Sequence, residues 1–168
     1  MIVRRFARIV LLPALVAGVA LAGNAQERFS ENPIKEGAWV YPTEKIAPAI
    51  IEAFCQSGFS MHYADGGFFT VLNQPITKLK KKLSVDTSGT CAFNIEKQTS
   101  TCTGTETDGR RRFALNEENI FERDGTYLKV TTSFVDRDTK EKVTLVTYPM
   151  RCPDSIVRKI LIEAIPPK

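Results

Sequence analysis

The stretch Cys91-Ala-Phe-Asn-Ile-Glu-Lys-Gln-Thr-Ser-Thr-Cys102 decides the fold of this 168-residue chain. Two arms of strand-forming residues flank Glu96-Lys97-Gln98, a short polar turn, and the pattern reads as an antiparallel hairpin. Folding about that turn sets Cys91 directly opposite Cys102. Opposed residues on paired strands have Cα atoms about 4.5–5.5 Å apart, a distance that a disulfide accepts. Four cysteines allow three pairings, and the hairpin favours the one in which Cys55 is left to pair with Cys152. In the chain-entropy account the small ring contributes about 3 kcal/mol and the long one about 5 kcal/mol.

Strand signals continue on both sides of the hairpin. Phe59, Met61 and Tyr63 alternate with Ser60 and His62, and Ala64-Asp65-Gly66-Gly67 turns the chain into a second run over 68–72. Further strands are expected over 78–85, 91–95, 99–103, 112–115, 126–135 and 143–148. Thr87-Ser88-Gly89, Thr107-Asp108-Gly109, Asp124-Gly125 and Asp136-Arg137-Asp138 carry turn chemistry between them. Connections this short force sequence neighbours to pair antiparallel, because parallel crossovers need a dozen or more residues.

Helices are expected at the two ends of this meander. From Ala47, with Pro48 in the first turn, the residues Ile50, Ile51, Phe54 and Cys55 share one face, and Gly58 ends the run. A second helix starts at Asp154 or Ser155. Its stripe of Ile156, Val157, Ile160, Leu161, Ala164 and Ile165 stops at Pro166-Pro167. Residues 26–42 show no sustained period and read as an extended lead-in. The expected fold class is α+β: an antiparallel meander of about seven or eight strands, as a curved sheet or small barrel, with an N-terminal and a C-terminal helix packed on it. Residues 26–168 then form a single domain stapled by disulfides. This order of elements is similar to small exported barrels of the lipocalin sort and to periplasmic inhibitor domains, a resemblance without a shared motif that implies nothing about function.

The first 25 residues read as a cleaved signal peptide. Arg4, Arg5 and Arg8 precede an apolar run from Ile9 to Ala22, and Ala20-Leu21-Ala22 and Gly23-Asn24-Ala25 each offer small residues before a cut. The run holds Pro13 and Gly18 and is shorter than the roughly 20 residues that cross a bilayer, so no transmembrane anchor is expected in the mature chain. The whole chain carries a net charge of +4. Loss of three arginines takes most of that away. Export to the periplasm or beyond also favours disulfides over metal or thiol chemistry for the four cysteines.

No catalytic pattern stands out, and no cofactor or metal is expected. The chain has one histidine, His62, and lacks G-x-S-x-G, H-E-x-x-H and a phosphate-cradling glycine loop. Glu117, Glu118 and Glu122, or Asp136 and Asp138, offer carboxylates for a hydrolase. The first two fall in what reads as a polar connection, and the aspartates in a turn. Two basic clusters are candidate anion or partner sites. Lys78, Lys80 and Lys82 share one face of an expected strand, where they could equally block edge-to-edge aggregation. Arg110, Arg111 and Arg112 follow a turn, and guanidinium groups grip carboxylates or phosphates bidentately. A lone Trp and scattered acids argue against nucleic acid.

The expected function is therefore that of a small exported, non-catalytic binding or interaction protein, with a protein or an anionic envelope component, or an enzyme it inhibits, as partner. A carrier of a hydrophobic small molecule is the alternative, from Phe59, Met61, Phe68, Phe69, Phe93, Phe113, Phe121 and Phe134 in strand-rich context. A carboxylate hydrolase is the third.

Overall fold

The computed structural model describes residues 27–77, 80–107 and 111–164. The expected signal peptide lies outside the described residues. Along the chain come β1 (Gly37–Val40), a 3-10 turn (Pro48–Ile50) running into α1 (Ile51–Ser57), β2 (Gly58–His62), β3 (Gly67–Thr77), β4 (Lys80–Asn94) and β5 (Thr99–Thr107). Then follow β6 (Arg112–Asp124), β7 (Tyr127–Val135), β8 (Lys142–Thr147), β9 (Met150–Arg151) and α2 (Asp154–Ala164). All nine strands join one antiparallel sheet in the order β8-β7-β6-β5-β4-β3-β2-β1-β9, curled into a half-barrel whose edges are β8 and β9.

The hairpin that opens the sequence holds its expected register. Cys91 faces Cys102 across β4 and β5, and their disulfide brings the Cα atoms to 4.0 Å. Cys55 at the heart of α1 is bonded to Cys152 just before α2, across 97 residues. The sheet has nine strands where seven or eight were expected, because the lead-in contributes β1 and the chain before α2 contributes β9.

Two local expectations are corrected. Thr87-Ser88-Gly89 makes no turn: it lies inside β4, which fuses the two runs expected at 78–85 and 91–95. Gly89 is there because the strands come together. It pairs with Gly104, and a Cβ on either would stand 2.1 Å from a carbonyl oxygen of the other strand. A pair of side-chain-free positions lets the sheet bend sharply. Glu117 and Glu118 lie in no connection either. They sit mid-strand in β6, which runs through 13 residues, because Asn116 and the glutamates continue an alternation whose odd positions are Phe113, Leu115, Asn119 and Phe121.

Strand alternation sends residues to two unlike faces. Ala38, Val40, Phe59 and Val71 meet Cys55, Cys152, Val157 and Ile160 from the helices, with Met61 and Phe69 at the border of this cluster. The opposite, concave face receives Ser60, His62, Phe68 and Thr70 from the same two strands. One end of that concave side is stoppered by the lead-in. Arg28 donates to the carbonyl of Glu96, Phe29 and Gln98 exchange two hydrogen bonds of 2.6 and 3.0 Å, and Ile34 packs with Phe121 and Val130, flanked by Trp39, Tyr41 and Phe93. The open side of the curl is clipped by segment 42–46. Lys45 is 2.8 Å from Asp124, Tyr148 donates to Asp124 at 3.2 Å and its backbone N–H donates to Pro42.

Candidate functional site: the concave cavity

Inside the half-barrel lies a cavity of about 520 Å³, reached past Phe113, Asp136, Arg137 and Asp138. Its floor and walls follow from register. Glu106 of β5 stands opposite Phe113 of β6. Deeper, Cys102, Glu117 and Phe134 form one row across β5, β6 and β7. Beneath it run Ser100, Asn119, Thr132 and Leu145. Phe121, Val130 and Thr147 close the series. The Glu106–Phe113 pair stands four residues above Glu117, with Gly104 and Leu115 between; from the Cys102 row down, each row is two residues below the last, about 7 Å along the strand.

The polar members are tied to one another. Thr132 donates to Asn119 at 2.6 Å, and the Asn119 amide donates to Ser100 at 3.4 Å and toward the sulfur of Cys102 at 3.3 Å. On the facing wall the Tyr41 hydroxyl is 2.8 Å from Nε2 of His62, whose ring stacks on Phe68 with centroids 5.8 Å apart. Thr147 is the exception. It is 4 % exposed, and its hydroxyl alone among the described buried side-chain N and O atoms has no hydrogen-bond partner.

Burial sets the charge states. It pushes His62 down to about 4, so the imidazole is neutral at physiological pH. Burial, and then the neighbouring Glu106 carboxylate, hold Glu117 above the usual carboxylate range. Burial, and then Glu117, likewise raise the Tyr41 phenol. At the mouth, Asp136 is held below its ordinary value first by the backbone N–H of Thr139, then by the Thr139 hydroxyl and the backbone of Asp138. Its carboxylate is thus occupied in ordering the β7–β8 turn, as the sequence suggested. Arg137 lies over Phe113 at 4.1 Å from the ring centroid.

No family model, curated protein or solved structure matches this chain. Its chemistry has to be read from the cavity itself.

The residues singled out in the sequence fall in different places. Glu122 lies on the outer face of β6, where it pairs with Lys129 at 2.7 Å, and so cannot share a site with Glu117 on the inner face. Glu118 is exposed on that outer face too. Arg111 and Arg112 are exposed at the β5–β6 end of the sheet, while Arg110 and Lys78 lie outside the described residues. Lys80 and Lys82 take positions opposite Thr77 and Gln74, on a part of β4 beyond its pairing with β5. By register both basic stretches lie toward the cavity's mouth. The phenylalanines divide: Phe68, Phe113, Phe121 and Phe134 line the cavity, whereas Phe59 and Phe69 face the helices.

Sequence reasoning missed Tyr41, Asn119, Thr132 and Thr147. One signal was present. Along 113–121 the odd positions read Phe, Leu, Glu, Asn, Phe, a polar interruption within the face that should be apolar. Among the described residues no group of His, Cys, Asp and Glu could hold a metal ion, and no helix is long and apolar enough to cross a membrane.

Proposed function

We propose that this is a small exported, non-catalytic binding protein whose ligand, an amphipathic small molecule, occupies the concave cavity. The observation that carries the reading is the cavity of about 520 Å³, within the range of roughly 300–1,000 Å³ typical of small-molecule sites. Its lining fits that role: aromatic walls, with a few hydrogen-bonded polar groups to fix orientation. Two disulfides suit a protein that works in an oxidising compartment. The test is fluorescence of the neutral probe N-phenyl-1-naphthylamine. Wild-type protein is expected to bind it at one site and enhance its emission. Leu115→Trp, which fills the cavity, abolishes binding, and Glu118→Trp, on the outer face of the same strand, leaves it intact. Equal binding by both variants, or none by wild type, refutes the reading.

A second reading places an anionic envelope component at the mouth end, where register brings Lys80, Lys82, Arg111 and Arg112 toward one end of the sheet. Reversing the charges of Arg111 and Arg112 would then release the protein from envelope extract while leaving probe binding unchanged.

A further inference from the structure

The lining of the cavity also specifies its ligand's charge. Glu106 and Glu117 project into it from neighbouring strands, and Asp136 and Asp138 stand at its rim. Among the described lining residues the opposing cation is Arg137, which is engaged with the Phe113 ring and lies 3.9 Å from Asp138. His62 carries no charge at neutral pH. Glu106 and Glu117 repel each other across β5 and β6, and none of the described lining residues puts a cation between them. An anion entering here would meet two carboxylates in a partly desolvated space, where like charges are costly.

An aromatic ring flanks each carboxylate. Phe134 is the direct cross-strand neighbour of Glu117, and Phe113 that of Glu106. Carboxylates beside aromatic faces are the surroundings that hold organic cations, by ion pairing and by attraction to the ring quadrupole. An independent observation marks the far end. The buried hydroxyl of Thr147 lacks a partner and lies two rows below Glu117, about 14 Å along the strands. A buried polar group left unmatched costs free energy, and a ligand reaching that depth would satisfy it.

The carboxylates of Glu106 and Glu117 reach toward each other from positions two rows apart. We propose that the cavity binds an organic cation: an ammonium head between Glu106 and Glu117, with an apolar or aromatic body extending inward toward Thr147. This rests on the cavity being a ligand site.

Calorimetric titration with three compounds that share a 4-phenylbutyl body and carry trimethylammonium, hydroxyl or carboxylate tests it. The ammonium compound is expected to bind about tenfold tighter than the alcohol, and the carboxylate weaker than either. In the Glu106→Gln/Glu117→Gln variant the ammonium preference falls to within about threefold, while the alcohol binds as before and N-phenyl-1-naphthylamine binding reports an intact cavity. Preference for the carboxylate would show that Arg137 governs the site and overturn the proposal, as would equal binding of all three. Failure of all three, and of the naphthylamine, would instead remove the cavity reading on which the proposal stands.

Discussion

Strand β2 serves two faces that differ in almost everything but their backbone. Its Phe59 is 3 % exposed against the helices, with Met61 beside it, while Ser60 and His62, on the other side, line a cavity. The outer cluster is apolar and tied through its centre by Cys55–Cys152. The inner face is hollow and hydrogen-bonded over most of its length and packs Ile34, Phe121 and Val130 only at its closed end. A sheet can thus be stabilised chiefly from one side, leaving the other free to carry polar groups. If this division of labour is right, damage to the outer face should cost stability, and damage to the inner face should cost binding.

The largest effect should come from the outer staple. Replacing Cys55 and Cys152 together by Ser removes a bridge closing a 97-residue separation, and urea unfolding is expected to show a loss of about 4–5 kcal/mol. Little or no loss would mean that the helices hold without it. Next comes a matched pair of truncations. Phe59→Ala should cost about 3–4 kcal/mol, and Phe68→Ala, at the wall of the cavity, about 1 kcal/mol. Equal costs would erase the distinction between the faces.

The inner face should also make stability depend on pH. His62 titrates near 4 in the folded protein against 6.5 in a free chain, so the unfolded state takes up a proton first as pH falls. Its contribution is complete above about pH 6.5 and is lost progressively down to pH 4, by up to about 3 kcal/mol. Glu117 acts in the opposite sense. Its raised carboxyl is a penalty at neutral pH that is relieved as it protonates. Urea midpoints between pH 7 and 4.5 should therefore fall in wild type and fall less in His62→Gln. A parallel decline in both would remove His62 as the cause. The smallest change is expected at Thr147. Thr147→Val discards an unmatched buried hydroxyl and should leave stability unchanged or raise it by up to about 1 kcal/mol, whereas a clear loss would show that the hydroxyl is satisfied.

The two faces were also unequally legible in the sequence. The outer one could be read directly: Val157 and Ile160 repeat at helical spacing, and the hairpin that pairs Cys91 with Cys102 leaves Cys55 for Cys152. The cavity required register, which alternation supplies only once strand ends are known. Gly89 reads as a turn because glycine marks both turns and close strand approaches, and that reading divides the long strand β4 in two. Glu117 looked like loop because two adjacent glutamates suggest solvent, yet one points inward and the other outward. Asn119 shows in the sequence only as part of a polar break in the 113–121 alternation, and Thr132 and Thr147 carry no motif at all. They become a site only when three strands lay them side by side.

The central claim, that the concave face is a binding site and the convex face a core, is tested most directly by methyl NMR during titration with N-phenyl-1-naphthylamine. The account predicts saturable shifts for the methyls of Leu115, Val130, Thr132, Leu145 and Thr147, with those of Val71, Val157 and Ile160 unmoved. Shifts confined to the helix-covered cluster, or spread evenly over both faces, would contradict it.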